Sequence, residues 1–195
     1  MWLTDAISLL INLRELKTVK FESMIDTAGN KILISESEIS NRTDAIAKAI
    51  SEDYSGKEVD IICLINSASF FYADDVRKIT IPVRIHFLGF SSFSTSNDTG
   101  EIRITHDIQE PLNNKHVIIF EGIVVSGRTP KYVLDYLKIR KPASLEYCAV
   151  GIKPAILSVN LNIKYYGFEL EPNMIVGGYG IGKGVEKSLP YLIEL

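Results

Sequence analysis

The chain has 195 residues, 46% of them hydrophobic and 23% charged, enough to bury a substantial core in one domain, or in one domain with a small appendage. A formal net charge of -3 gives no general reason for nucleic-acid or membrane binding, and small metabolic partners are favoured. Cys63 and Cys148 lie in apolar runs (IICLI and LEYCAVGI), which predicts buried thiols in a reducing, cytoplasmic compartment rather than a disulfide. His86, His106 and His116 are scattered and fit no zinc spacing, so no metal is assigned to them.

The first residues, MWLTDAISLLINLRELK, repeat apolar side chains at Leu3, Ala6, Ile7, Leu10 and Leu13, the spacing of one helical face. Asp5, Asn12 and Arg14 interrupt the run, which is too short and polar for a membrane span or signal peptide. An amphipathic packing or dimerisation helix is expected, in a helical extension covering 1–31 ahead of a main domain at 32–195. Ser35 and Glu38 then form a capping box, and Ile39, Ile46 and Ile50 share a face, so a helix should run from about Ser37 to Asp53.

VDIICLI (Val59 to Ile65) is an almost continuous apolar, β-branched run, as in a strand covered on both faces. NSASFFYADDVRKI has helical spacing at Phe71, Val76 and Ile79, and VRIHFLGF (Val83 to Phe90) reads as a strand. Ser91 to Gly100, SSFSTSNDTG, has little to bury and should be a mobile loop. EIRITHDI alternates like a half-exposed strand, and LEYCAVGI is a further buried one. IKYYGFELEP and MIVGGYGIGKG look like short strands with a Gly-rich loop. This order predicts an α/β domain with a doubly wound, mainly parallel sheet, whose ligands bind beyond the carboxyl ends of the strands.

VIIFEGIVVSGRT, from Val117 to Thr129, is the most informative stretch: a buried strand, a turn of Ser, Gly and Thr, then a helix-like segment beginning at Pro130. Such a turn aims backbone N–H groups and hydroxyls at one point, where the helix N-terminus adds partial positive charge, and the point suits a phosphate. Thr129 as N-cap with Pro130 at the first helical position would start that helix. On local grounds alone, an ordinary tight turn and helix cap is the favoured account of Ser126, Gly127 and Thr129.

This stretch resembles the signature of type I phosphoribosyltransferases, and more of the chain is similar to their hypoxanthine-guanine branch. LISESEISNRTDAIAKAISEDYSGKE resembles that branch's N-terminal helix, SFFYADDV the helix after its pyrophosphate loop, and SNDTGEI the end of its mobile loop. GIKP, YYGFELEP, VGGYGIG and SLPYL follow in the order of its purine-binding and C-terminal segments. The likeness spans about Ile32 to Leu195 and implies the family's fold, with a small hood from the N- and C-terminal segments. It also implies a homodimer or homotetramer.

The resemblance implies that Ser126, Gly127, Arg128 and Thr129 cradle a 5'-phosphate. It places Glu121 toward the ribose hydroxyls, although a salt bridge to Arg128 is an alternative. Gly122 stands where the family has its second acid, and Val125 replaces the Asp near the purine N7 that is the proposed acid/base, leaving no catalytic carboxyl there. In the pyrophosphate loop Ile65, Asn66 and Ser67 carry no basic side chain. Gly182 replaces an Asp that helps hold magnesium, so the family's cofactor is expected to be absent and no metal ligands are assigned. In the mobile loop Ser92 and Phe93 stand for a Ser-Tyr pair. Lys153, fourteen positions before Gly167, matches the lysine that meets the purine 6-oxo group, with a solvated lysine as the alternative. Ile175, or Met174 depending on the gap, takes the place of the aromatic that stacks on the base.

Groups for magnesium, pyrophosphate and proton transfer are thus missing while those for the 5'-phosphate and purine remain. The expectation is a degenerate phosphoribosyltransferase homologue that binds a purine nucleoside monophosphate or related phosphorylated ligand. Two alternatives stay open: an active purine-salvage transferase with an acid/base rebuilt from Asp98, Glu101 or His106, and an interaction protein that keeps only the fold.

Overall fold

The computed structural model describes residues 24–25, 29–65, 67–93 and 101–195. The expected N-terminal amphipathic helix, the predicted mobile residues 94–100 and Asn66 lie outside them.

Ten strands and three helices are described: β1 Met24–Ile25, β2 Lys31–Ile34, α1 Glu36–Asp53, β3 Val59–Ile65, α2 Ser69–Val76, β4 Val83–Phe93, β5 Glu101–His106, β6 His116–Val124, α3 Arg128–Lys138, β7 Ser144–Ile152, β8 Tyr165–Glu169, β9 Val176–Gly177 and β10 Leu192–Glu194. The main sheet has the order β5-β4-β3-β6-β7-β8. Its pairs are parallel except β4 with the edge strand β5. A second, antiparallel sheet, β1-β2-β10-β9, joins the two ends of the described chain into a hood.

Apolar residues on both faces of the central strands explain the layering. Ile61, Cys63, Ile118, Phe120 and Cys148 meet Ile39, Ile46 and Ile50 of α1 and Phe71 and Tyr72 of α2. On the opposite face Ile62, Leu64, Val117, Ile119 and Tyr147 meet Val133 and Leu137 of α3. Strands buried on two sides cannot alternate polar with apolar, hence the continuous runs of the sequence. Cys63 and Cys148 are free and buried, and burial pushes the Cys63 thiol up to about 11.

The α1 capping box is complete: Glu38 N–H donates to Ser35 Oγ at 3.3 Å, and Ser35 N–H to the Glu38 carboxylate at 2.7 Å. Arg42 ties this helix to β8, donating through Nε to Gly167 O at 2.9 Å and through Nη2 to Tyr166 O at 2.7 Å.

Four expectations need correction. The helix after the signature strand starts at Arg128, two residues early, and its N-cap is Gly127 rather than Thr129. The left-handed turn at Gly127 brings the chain into helical register before Thr129 is reached, so the Thr129 hydroxyl is not the cap. Ser91, Ser92 and Phe93 belong to β4, because pairing with β5 satisfies their backbone in place of water. Within 1–31, Met24–Ile25 is a strand, its backbone paired with Lys31 and Ile32 of β2. The predicted start of α1 moves from Ser37 to Glu36, because Ser35 is the cap.

Candidate functional site

The carboxyl ends of β3, β6 and β7 lie side by side, and the chain leaves β6 through Val125, Ser126 and Gly127 into α3. Gly127 has φ +79°, and a Cβ there would stand 2.6 Å from Val159 Cγ2 and 2.7 Å from Leu161 Cδ1. Only glycine satisfies both the left-handed backbone and this close approach. The segment after β7 is strapped to the turn, with the Ser158 N–H and hydroxyl each donating to Ser126 O at 3.0 Å.

The first bond within α3 runs from Lys131 N–H to Gly127 O at 3.0 Å. The N–H groups of Arg128 and Thr129 precede it and have no acceptor within the helix. No side chain caps this end, and the nearest substitute is a 3.4 Å contact from Arg128 N–H to Ser126 Oγ. Pro130 contributes no donor. The first-turn N–H groups, the positive end of an eleven-residue helix and the hydroxyl-bearing Ser126 and Thr129 thus belong to one turn. Val125 stands at the head of the turn, 43% exposed.

Lys153 follows β7 directly, and its backbone N–H donates to Val124 O at 3.0 Å, which joins the lysine to the turn. Its side chain is buried, and Nζ donates to Pro172 O at 3.2 Å and to Met174 O. An ammonium has three donors, and two carbonyls leave one for a ligand oxygen. Of the two stacking candidates, Ile175 is 64% exposed, whereas Met174 packs on the core shared with α1 and α2. Hydrogen bonds thus tie the Lys153 backbone to the end of β6 beside the turn, and its side chain to Met174, the neighbour of Ile175, which gives one ledge of candidate ligand residues.

Glu121 lies apart from that ledge. Its carboxylate is buried on the α3 face and accepts a 2.6 Å hydrogen bond from Tyr147 Oη, so the partner of Glu121 is this tyrosine rather than Arg128. Burial pushes the carboxyl up to about 7, with the Tyr147 hydrogen bond opposing the rise.

Two glycines where the family resemblance expects acids are each pressed by a neighbour. A Cβ on Gly122 would meet Ser67 Cβ at 2.9 Å and Ser67 O at 3.0 Å. A Cβ on Gly182, whose φ is +116°, would stand 2.3 Å from Glu186 Oε1. Glu186 is fixed there by the N–H groups of Lys183 and Gly184, at 2.7 and 2.8 Å. Backbone donors from Gly184, Glu186 and Lys183 hold its carboxyl below the usual range. Among the described residues no three His, Cys, Asp or Glu side chains gather as a metal site.

Sequence reasoning missed Tyr147 and Glu186, and it placed Ser67 in the pyrophosphate loop without its contact with Gly122. Tyr147 had a signal, since an acid within a buried strand needs a donor on the neighbouring one. Glu186 and the Ser67 contact had none, because each involves a glycine distant in sequence or across a loop. It also missed the clamp of the hood on α2, in which Tyr179 Oη donates to Asp74 at 2.6 Å.

This sheet, with a hood of joined termini and an anion turn at the end of a central strand, defines a phosphoribosyltransferase domain, and the phosphoribosyl transferase domain family model matches residues 31–182. The chain is 37% identical to a hypoxanthine phosphoribosyltransferase of Haemophilus influenzae over 154 residues, covering 77% of this chain and 86% of the relative. A hypoxanthine phosphoribosyltransferase structure from Staphylococcus aureus superposes with a TM-score of 0.80 at 30% identity, covering 84% of this chain and 90% of that one. A hypoxanthine-guanine phosphoribosyltransferase from Bacillus anthracis gives 0.76 at 30% identity, covering 84% and 95%. The chain belongs to the hypoxanthine-guanine branch of the type I phosphoribosyltransferases. Among the described residues no helix is long and apolar enough to cross a membrane.

Proposed function

We propose that this protein binds a purine nucleoside monophosphate, or a closely related phosphorylated ligand, without ordinary transferase turnover, as a sensor or regulatory member of its family. The observation that carries the reading is a helix N-terminus with no side-chain cap, preceded by Val125, an isopropyl group where proton transfer would need a carboxyl. The phosphate sits on the N–H groups of Arg128 and Thr129 and the hydroxyls of Ser126 and Thr129. The base lies toward Lys153 with its face on Ile175, and the ribose bridges them without the buried, Tyr147-bonded Glu121.

The donor set does not fit a magnesium ion. Gly122 and Gly182 offer no oxygen from a side chain, the Glu121 carboxylate is engaged by Tyr147, and Glu186 Oε1 beside Gly182 is taken up by the N–H groups of Lys183 and Gly184. Binding is therefore proposed to be independent of magnesium, in a cytoplasmic homodimer or homotetramer.

A thermal-shift screen with IMP, GMP and AMP tests the reading. Ligand at a hundred times its dissociation constant should stabilise the protein by about 2.7 kcal/mol. Thr129→Glu, which puts a carboxylate against the phosphate, should abolish the shift. No shift with any nucleotide would leave only the fold-scaffold reading.

A second reading is active purine salvage, favoured by the relatives' name, hypoxanthine phosphoribosyltransferase, at up to 37% identity. Label appearing in nucleotide from a radiolabelled purine, phosphoribosyl pyrophosphate and magnesium would establish it in place of the first.

A further inference from the structure

The phosphate turn has one soft joint, the peptide between Ser126 and Gly127. Gly127 takes φ +79° and ψ 0°, left-handed, and Arg128 is the first helical residue of α3. Residues of opposite hand side by side in a turn direct successive N–H groups, here those of Gly127, Arg128 and Thr129, into a shared concavity that suits an anion. The helix fixes the N–H groups of Arg128 and Thr129. That of Gly127 is fixed only by the plane of its own peptide, and glycine also tolerates the negative φ that a flip of this plane would produce. In a trans peptide the carbonyl and the N–H point in opposite directions. A flip would therefore withdraw the Gly127 N–H and turn the Ser126 carbonyl oxygen toward the phosphate in its place.

Ser158 holds that plane. Its N–H and its hydroxyl each donate to Ser126 O at 3.0 Å, which occupies both lone pairs of the carbonyl. The strap that carries Ser158 begins at Lys153, whose N–H donates to Val124 O at 3.0 Å, and further along it Val159 and Leu161 lie against Gly127. The Ser126 carbonyl is thus kept on the strap side and the Gly127 N–H on the opposite one. Ser158 is itself exposed and buries nothing, so its two bonds act on the orientation of this one peptide.

We propose that Ser158 is a positioning residue for the phosphate: by engaging the Ser126 carbonyl it keeps the Gly127 N–H turned into the cradle as a third backbone donor. This inference rests on the phosphate cradle of the mononucleotide reading and adds a donor and the residue that orients it.

Calorimetric titration of the full chain with ribose 5-phosphate and with IMP, in the wild type, Ser158→Ala and Ser158→Thr, tests it, together with the amide spectrum of wild-type protein isotope-labelled at glycine. Ser158→Ala deletes the hydroxyl donor and should weaken both ligands severalfold and by the same factor, because both carry the phosphate. Ser158→Thr keeps the hydroxyl and should bind as the wild type does. The Gly127 amide proton should move downfield as ribose 5-phosphate is added. Unchanged ribose 5-phosphate affinity in Ser158→Ala, or a Gly127 amide that does not respond, would overturn the inference. So would a loss several times larger for IMP than for ribose 5-phosphate, since that marks a general loosening of the strap at Lys153. Binding of ribose 5-phosphate without IMP would sink the mononucleotide reading and leave the inference to the ribose 5-phosphate measurements. Binding of neither by the wild type would overturn both.

Discussion

Glu121→Gln should change how stability depends on pH. The Glu121 carboxyl is buried and titrates near 7 in the folded protein, against an ordinary value of 4.5. A carboxyl whose folded pKa is raised binds its proton more tightly folded than unfolded, so its contribution is present at low pH and lost as pH rises from about 4.5 to about 7. The rise from 4.5 to about 7 sets an upper bound of about 3.5 kcal/mol. Gln keeps an acceptor for Tyr147 Oη at nearly the same volume but cannot ionise. Urea unfolding of both proteins at about pH 5 and about pH 8 should show the wild type losing roughly 2 to 3 kcal/mol more than the variant over that interval. Tyr147→Phe removes a hydrogen bond that opposes the rise, so in that variant the loss should move to higher pH. Equal slopes for wild type and Glu121→Gln, or a wild type that gains on the variant as pH rises, would refute the burial of an unionised Glu121.

Asp75 on α2 is fully buried, both its carboxyl oxygens lack a hydrogen-bond partner, and burial drives its pKa well above the ordinary value, so Asp75→Leu should stabilise the protein by about 1 to 3 kcal/mol at about pH 8 in urea unfolding. Gly127→Ala meets both a left-handed φ and the side chains of Val159 and Leu161, so it should cost about 1 to 3 kcal/mol in the same assay and remove the nucleotide-dependent thermal shift. Lys153→Met keeps an apolar stem of similar length but no ammonium, and calorimetry should show IMP affinity falling by about tenfold or more with ribose 5-phosphate affinity unchanged.

The parts of the fold legible in the sequence were those written locally. The S-x-x-E box at Ser35 and Glu38 and the unbroken run at Val59 to Ile65 gave α1 and β3 nearly to the residue, since capping and two-sided burial act over a few positions. The hood was legible only through family resemblance, because pairing of Ile34 with Leu192 joins segments that no local pattern links. At the site, the turn at Ser126 to Thr129 was readable, but its register was not: Gly127 caps the helix through backbone geometry, and a hydroxyl two residues on is a more visible signal. Gly122 was legible as a missing acid. What fills its place was not, since the approach of Ser67 depends on how two strand ends meet in space. The partner of Glu121 lies 26 residues away on β7, and strand order rather than sequence spacing brings Tyr147 to it.

On the proposed function, a monophosphate cradle persists where the groups for magnesium and proton transfer do not. Calorimetric titration of IMP into the wild-type protein, first with excess chelator and then with magnesium, tests it most directly. Saturable binding with the same dissociation constant in both is expected. Binding that appears only with magnesium, or tightens by about tenfold when it is added, would contradict it.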